Sequence, residues 1–309
     1  MKRVFLALIG IFATLVLSTS CEEKPPVIEM YLDLDVEKVE VSDLGGNYDI
    51  MMSASHDWTA TTTSDWVNIK TPSGQAGKRI LRFSVDKSSL ERGRTTKIVV
   101  TSELASITKE ISITQAAMSA ERIANHKIYY TTTDGKTIKP LNPYNVFNGP
   151  TIASNTYSNG QGVMTLTDEV VEIGTFAFSE IATLKTMKLP KSVKVVGYNT
   201  FLGNPNMTEV ELNEGLESID VMAFARCPML TEVKIPQSVK KMGMAPFAMC
   251  PALERFEGKF VVGDGRYLVY NNELIGFAPA GMTECVVPEG VVAIQQEVLK
   301  ECRELTSVK

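Results

Sequence analysis

A period of 23 residues across the second half of the chain restricts its fold more than any other feature. Phe178, Phe201, Phe224 and Phe247 are each 23 residues apart. Three further apolar series keep the same spacing: Leu184, Met207, Leu230 and Leu253; Leu166, Leu189, Leu212 and Ile235; and Ile173, Val196, Ile219 and Met242. One coil of this length cannot bury its own apolar face, whereas stacked coils share one core. The period therefore predicts a solenoid.

Each coil opens with a short strand of L-x-x-L-x-L type, which is the strand pattern of leucine-rich repeats. Because side chains alternate along a strand, Met187 and Leu189 are predicted to point inwards, and Thr186 and Lys188 outwards. Pro190 ends the strand, since proline cannot donate to the strand ladder. The second half is thus predicted to be a leucine-rich-repeat solenoid over residues 163–309.

Two coils carry a longer phrase, formed by Ile235, Pro236, Ser238 and Val239 in one unit and by Ala223, Phe224, Cys227 and Leu230 in another. This phrase resembles the repeat of the BspA-like leucine-rich-repeat family, and the resemblance covers roughly residues 160 to 309. The resemblance implies a bacterial surface protein, since many members are thought to adhere to host or matrix proteins.

The cysteines follow the repeat. Cys227, Cys250 and Cys302 fall in the slot that Asn204 occupies in an earlier coil, and Cys285 lies between them. Burial as small apolar side chains is favoured. A disulfide or a metal site stays open as the alternative, although no C-x-x-C spacing supports zinc.

The period breaks once, because Leu253 and Leu305 are 52 residues apart. Two apolar runs, 267–270 and 274–277, flank Asn271 and Asn272, which predicts a hairpin in a remodelled coil near residues 258–282. This coil is interpreted as a tolerated repeat variant, with a protrusion that contacts a ligand as the alternative.

The first part of the chain has a different residue pattern. Residues 31–117 contain short alternating runs separated by turn signals such as Gly45-Gly46. This spacing predicts an all-β sandwich.

The phrases 57–59, 64–67, 72–74 and 111–116 sharpen this prediction. Together they resemble the BACON domain, an immunoglobulin-like module of exported Bacteroidetes proteins. The resemblance implies an immunoglobulin-like β-sandwich, and the family name records a suggestion of carbohydrate binding. Trp58 and Trp66 are the candidate platforms for a sugar ring, but the sandwich core is the favoured position, above all for Trp66.

Residues 118–162 join the two regions. Their aromatic content and the strand-like run 128–133 predict an N-terminal cap over the first coil rather than a flexible linker.

The N-terminus predicts export. Lys2 and Arg3 precede an apolar stretch over residues 4–17, which is too short to span a bilayer but suits a secretory signal. Small residues then lead to Cys21.

This arrangement resembles a bacterial lipoprotein signal, although Ser18 stands where the usual pattern has Leu. The resemblance implies a signal peptide over residues 1–20, lipidation of Cys21 and a tether over residues 21–30. A plain secretory signal is the alternative. The protein is expected to be exported and held by this lipid alone in the outer membrane, at the cell surface.

The sequence offers no catalytic signature. His56 and His126 are the two histidines, neither lies in a nucleophile motif, and His126 is expected to be solvated. No phosphate-binding or metalloprotease motif is present, so no cofactor, no metal and no enzymatic activity are predicted. The net charge of −5, without a long basic run, argues against nucleic acid as a partner.

Taken together, these features predict a non-enzymatic surface lipoprotein that binds a host or matrix protein through outward strand side chains. The alternative is an accessory protein that binds a glycan through the BACON-like domain. The candidate ligand-binding residues are Thr186, Lys188, Glu209, Glu211, Glu232, Lys234, Arg255 and Glu257.

Overall fold

The computed structural model describes residues 29–141 and 146–309. The predicted signal peptide, Cys21 and most of the tether lie outside these residues. The chain folds into two compact units: residues 47–85 and 96–113 with the segment up to residue 39, and residues 114–309 with segments 40–46 and 86–95. No helix in the described part of the chain is long and apolar enough to cross a membrane.

The N-terminal β domain is built from two sheets, with strand orders β1-β3-β7-β5 and β2-β9-β8-β4-β6. Every second residue is buried along the inner part of β3, β7, β8 and β9, so each sheet has one core face. The all-β prediction is confirmed. The strands are β1 (Leu32–Leu34), β2 (Lys38–Val41), β3 (Gly46–Ala54), β4 (Trp58–Thr61), β5 (Val67–Ile69), β6 (Ser73–Gly74), β7 (Gly77–Val85), β8 (Arg94–Ser102) and β9 (Ile107–Gln115).

The C-terminal region is a solenoid, as predicted. Parallel pairing joins residues 23 positions apart, such as Thr186 with Glu209 and Glu232 with Arg255, so each period is one coil. Each regular coil has a long strand and a short strand. The long-strand side contains β14 (Leu184–Lys188), β16 (Glu209–Glu211), β18 (Glu232–Ile235) and β20 (Arg255–Gly258), and the short-strand side contains β13 (Glu172–Ile173), β15 (Val195–Val196), β17 (Ser218–Ile219) and β19 (Lys241–Met242).

Antiparallel strands extend the long-strand sheet at its first edge. Strand β10 pairs with both β14 and β12, and β11 pairs with β12. Ile128, Tyr130 and Met164 from this part join the core of the solenoid. The elements are α1 (Ala120–Asn125), β10 (Lys127–Thr132), β11 (Ile152–Ser158) and β12 (Gln161–Leu166).

A hairpin remodels the coil after β20. Strands β22 and β23 pair around Asn271 and Asn272, whose positive φ angles of 52° and 61° form the turn. Leu268 and Ile275 are fully buried in the core, so the body of the hairpin is part of the core and only its tip is exposed. The remaining strands are β21 (Val261–Val262), β22 (Tyr267–Tyr270), β23 (Glu273–Phe277), β24 (Glu284–Cys285), β25 (Ala293–Ile294) and β26 (Ser307–Val308).

A stack of phenylalanine rings forms the axis of the core. The centroids of Phe178 and Phe201 are 5.7 Å apart, those of Phe201 and Phe224 5.0 Å, and those of Phe224 and Phe247 5.2 Å. The interplanar angles of 16°, 7° and 7° keep the rings nearly parallel. Because the phenylalanines recur with one spacing, their rings form one continuous buried column along the solenoid.

The slot shared by Asn204 and the cysteines closes the turn beside this column. Asn204 Nδ2 donates to the carbonyls of Phe178 and Phe201, both at 2.8 Å. Cys227 Sγ lies 3.3 Å from the Phe201 carbonyl, and Cys250 Sγ lies 3.3 Å from the Phe224 carbonyl. The thiols are therefore packed as small apolar groups and also act as weak donors.

Three of the four described cysteines should resist alkylation in the folded protein. Cys227, Cys250 and Cys285 are buried and free, and burial raises the pKa of Cys227 to about 12. Burial also raises the pKa of Cys302 to about 11, so its alkylation is slow at pH 8. Because Cys302 is the partly exposed thiol, in a Cys21→Ser protein it should still be the first that iodoacetamide modifies. Peptide mass mapping checks this order, with protein in denaturant as the fully labelled control. Native-state labelling of Cys227 or Cys250 would contradict the packing.

The expectation of a solvated His126 is wrong. His126 follows α1 and is only 3% exposed. Burial lowers the pKa of His126, while Asp168, whose Oδ1 lies 3.8 Å from Nε2, opposes this shift. Its position beside a packed helix end, rather than in a polar connector, accounts for the difference.

Candidate ligand-binding face

The eight predicted ligand-binding residues lie together on one surface, here called the strand face. Side chains alternate along β14, β16, β18 and β20, so Met187, Val210, Val233 and Phe256 point into the core while their neighbours point out. Thr186 and Glu257 are partly exposed. The exposed members of the strand face are Lys188, Glu209, Glu211, Glu232, Lys234 and Arg255.

Parallel pairing sets the charges of the strand face in two rows. The first row follows the pairings of Thr186 with Glu209 and of Glu232 with Arg255. The second follows the pairings of Lys188 with Glu211 and of Lys234 with Glu257, so its charges alternate along the solenoid. Such alternation is complementary to a surface that also carries charges of both signs.

Ion pairs hold several of these side chains. Lys188 Nζ lies 2.5 Å from Glu211 Oε1, and Arg255 Nη2 lies 3.0 Å from carboxylate oxygens of both Glu232 and Glu257. The hydrogen bond from Arg255 to Glu232, with the charges of both carboxylates, raises the pKa of Arg255 above its usual value. These side chains are about half exposed, so the pairs add little stability and mainly fix the arrangement of charge.

Glu209 and Lys234 have no ion pair with another described residue. They are therefore available to a ligand without the loss of an existing contact.

A groove runs beside the strand face. It encloses about 1010 Å³ and is lined by strand-face residues of β14, β16 and β18 together with Lys191, Asn213 and Glu214. A smaller hollow of about 180 Å³ continues it towards Tyr129 and Gln161. The surface is thus concave enough to receive side chains from a partner, with polar groups at its edges.

Sequence reasoning missed the part of the strand-face sheet that β10 contributes. Tyr129 is paired with Lys188, and Thr131 with Thr186, whose Oγ1 atoms are 2.7 Å apart. The alternation over residues 128–132 was visible, but its partner strand lies more than fifty residues away. An aromatic side chain beside the charged rows adds a rigid contact that interfaces favour.

The two tryptophans that the sequence offers as platforms for sugar rings differ in exposure. Trp58 is 3% exposed and packs over Gly74, where an added Cβ would lie 2.6 Å from its ring. Trp66 is in the turn before β5 and is partly exposed. The sequence favoured the core above all for Trp66, whereas the buried indole is that of Trp58. The pairing of Trp58 with Gly74, which the spacing does not reveal, provides the room for it.

No group of three or more His, Cys, Asp or Glu that suits a metal ion occurs among residues 29–141 and 146–309.

Two protein families match the chain. Residues 151–262 match the family described as BspA type Leucine rich repeat region, in six copies. Residues 56–116 match the BACON family, described as a putative N-terminal binding domain. Neither description is that of a catalytic family.

Solved structures of bacterial repeat proteins are similar to parts of the chain. A leucine rich cell surface protein from Faecalibacterium prausnitzii shares 24% identity over 46% of this chain and 41% of its own, with a TM-score of 0.40. The pneumococcal vaccine antigen PcpA shares 21% over 46% and 37%, with a TM-score of 0.41. A leucine-rich repeat protein from Bacteroides capillosus shares 34% over 34% and 72%, with a TM-score of 0.28. The chain spans less than half the length of the first two, and no curated protein matches it.

Proposed function

Because the chain carries a BACON domain followed by a BspA-type leucine rich repeat region, we propose that it is a non-enzymatic surface protein whose strand face binds a host or matrix protein. The observation that carries this proposal is the strand face itself. Its exposed side chains form two ordered charged rows beside a groove of about 1010 Å³. Solenoids use extended surfaces of this kind for binding proteins.

A charge exchange on the strand face tests this function. Glu209→Lys with Lys234→Glu keeps the net charge and breaks no ion pair of the described structure. Affinity for a bound matrix protein is expected to fall by about tenfold or more, because like charges then meet across the interface. Interferometry on immobilised collagen, fibronectin and laminin, with a glycan array beside them, measures the change.

The matched control is Lys241→Glu with Glu289→Lys, which exchanges exposed charges away from the strand face. This control should bind as the unmodified protein does. Equal losses in both variants would mean that the charge exchange acts without a specific interface, and unchanged binding in both would place the ligand elsewhere.

Glycan binding through the N-terminal β domain is the second candidate. It has less support because Trp58 is buried, which leaves the partly exposed Trp66 as the aromatic contact. Glycan-array signal that is lost in Trp66→Ala, with the fold retained, would favour this candidate over the strand face.

We also propose that a lipid on Cys21 anchors the protein in the outer membrane. The support is the sequence around Cys21 and the occurrence of both families in surface proteins. In a Bacteroidetes host, Cys21→Ala should move the protein from the membrane fraction to the soluble fraction. Cys302→Ala is the control and should leave it in the membrane. Membrane retention of Cys21→Ala would rule out this anchor.

A further inference from the structure

In each coil a loop connects the short strand to the next long strand, and these loops stack along one side of the solenoid. The stack is interrupted at one place. In regular coils this connection has twelve residues: 197–208, 220–231 and 243–254, and again 295–306 at the end of the array. In the hairpin coil, β23 pairs with β25 at Glu273 and Leu274 but continues as a strand to Phe277. Because β24 begins at Glu284, only residues 278–283 form a loop there. The loop layer therefore lacks one loop between 243–254 and 295–306, and we call this space the loop gap.

The loop gap is part of a hollow of about 1160 Å³, which also extends along loops 197–208 and 220–231. Pro279, Ala280 and Gly281 of the short connection line it. One side carries apolar residues of the regular loops, and the other carries charged residues of loop 295–306. The apolar residues include Pro205, Met222, Pro228, Met249 and Pro251, and the charged residues include Glu297, Lys300, Glu301 and Arg303.

Main-chain hydrogen bonds normally tie each of these loops to the next. Phe201 N–H donates to the Ala223 carbonyl at 2.7 Å, and Gly203 N–H donates to the Ala225 carbonyl at 2.9 Å. One coil later, Phe224 N–H donates to the Pro246 carbonyl at 2.8 Å and Arg226 N–H to the Ala248 carbonyl at 2.9 Å. The donors are two residues apart, and so are their acceptors.

This ladder stops at the loop gap. The equivalent donors are Phe247 N–H and Met249 N–H, and neither finds an acceptor in the described part of the chain. Phe247 is 2% exposed, and a buried N–H without a partner is rare because it loses the hydrogen bonds that it makes with water in the unfolded chain.

Ala245 N–H, two residues before Phe247, also lacks the main-chain acceptor that its equivalents have in the preceding coils. In the preceding coils, Asn199 and Met222 N–H donate to the carbonyls of Val221 and Met244. The equivalent Ala245 N–H instead donates to the side-chain oxygen of Gln295 at 3.1 Å. A side-chain amide here takes the place of a main-chain carbonyl.

From this geometry we propose that the loop gap binds an extended polypeptide segment of a partner protein. The segment supplies two carbonyls, two residues apart, to Phe247 and Met249 N–H. Main-chain donors of the same segment reach the facing loop 295–306, as each regular loop does with its neighbour. This is strand addition at an open ladder, applied to a stack of loops.

The chemistry of the lining defines the occupant further. Four charges of loop 295–306 are paired with one another, since Lys300 Nζ lies 2.7 Å from Glu297 Oε2 and Arg303 Nη2 lies 2.7 Å from Glu301 Oε2. Arg226 and Glu304 also line the gap and have no ion pair with another described residue, so charge can contribute to selection of the segment only at these two positions. The proline and methionine wall favours small apolar side chains, while Phe256, whose ring centroid is 5.5 Å from that of Phe247, already fills the core behind it.

A peptide with the sequence of residues 197–208 and the change Phe201→Ala is the probe, because it carries the main-chain pattern of a regular loop without the core phenylalanine. The full protein is labelled with ¹⁵N-phenylalanine and ¹⁵N-methionine, and amide exchange is followed by NMR. The peptide is expected to slow exchange of the Phe247 and Met249 amides at least tenfold. The amides of Phe201 and Phe224, already bonded, should not change.

Two controls separate main-chain recognition from other binding. The same peptide N-methylated at positions 199, 201 and 203 keeps its side chains but loses its donors, and it should not protect the two amides. Ala280→Trp should block the gap, whereas Val292→Trp, at a position 77% exposed and outside the gap, should not.

Several results would overturn the proposal. One is slow exchange of both amides in the free protein, which would mean that they already have acceptors. Another is absence of protection by the unmethylated peptide, which would leave water as the occupant. A third is protection that appears on raising the protein concentration alone, which would assign the gap to a second copy. Binding by this peptide with unchanged strand-face affinity would keep the two surfaces distinct.

Discussion

Phe224→Ala is expected to lower the free energy of unfolding by about 3–5 kcal/mol, because it opens a cavity in the middle of the ring column. Phe224 is fully buried and stacks on rings at 5.0 and 5.2 Å on its two sides. Since each coil contacts only its neighbours, the cavity also weakens the interfaces on both sides. Urea unfolding followed by circular dichroism measures the change.

Phe176→Ala is the matched control. Phe176 is 36% exposed and contacts Tyr198 edge to face at 5.5 Å, outside the column. Its removal should cost about 1 kcal/mol. Similar losses for the two variants would contradict the idea that the column holds the coils together.

Asn204→Leu is expected to destabilise the protein by roughly 3 kcal/mol, because it leaves several buried main-chain groups without partners. Asn204 donates to the carbonyls of Phe178 and Phe201, and its Oδ1 accepts from Ile181 N–H at 2.9 Å. Leucine fills a similar volume, so the loss reports on hydrogen bonds rather than on a cavity. Urea unfolding measures this change as well.

The solenoid provides a matched control for this position. Cys227 fills the same slot one coil later and keeps a donor to the equivalent carbonyl. Asn204→Cys should therefore cost clearly less than Asn204→Leu. If the two substitutions cost the same, the hydrogen bonds of this slot do not contribute to stability.

Much of the solenoid could be predicted because its information is local and repeated. The phenylalanine series that contains Phe224 has four members with one spacing. A repeat of 23 residues is compatible with few folds other than stacked coils. The outward positions of Lys188 and Glu211 follow from alternation along a strand alone.

Features that depend on distant pairing could not be predicted. The pairing of β10 with β14 adds Tyr129 to the strand face. The sequence around Tyr129 does not indicate which strand β10 pairs with. The burial of Trp58 depends on Gly74, which lies on another strand. Both facts need the three-dimensional register.

The loop gap shows a second limit. The sequence reveals one long interval between Leu253 and Leu305, which suggests an insertion. The hairpin adds residues to this coil, whereas the connection over residues 278–283 is shorter than a regular loop. Because the two changes partly cancel in length, the sequence interval does not reveal the shortened connection. The strand bounds and the hydrogen bonds that Phe247 and Met249 lack show together that a loop is missing.

Lysine acetylation of a complex tests most directly whether the strand face is the binding surface. The ligand is the matrix protein that binds best in the interferometry. We predict that it shields Lys188 and Lys234 on the strand face, while Lys194 and Lys241 on the short-strand side react as in the free protein. Shielding confined to lysines of the N-terminal β domain, such as Lys78 and Lys97, with Lys188 and Lys234 still reactive, would contradict the account.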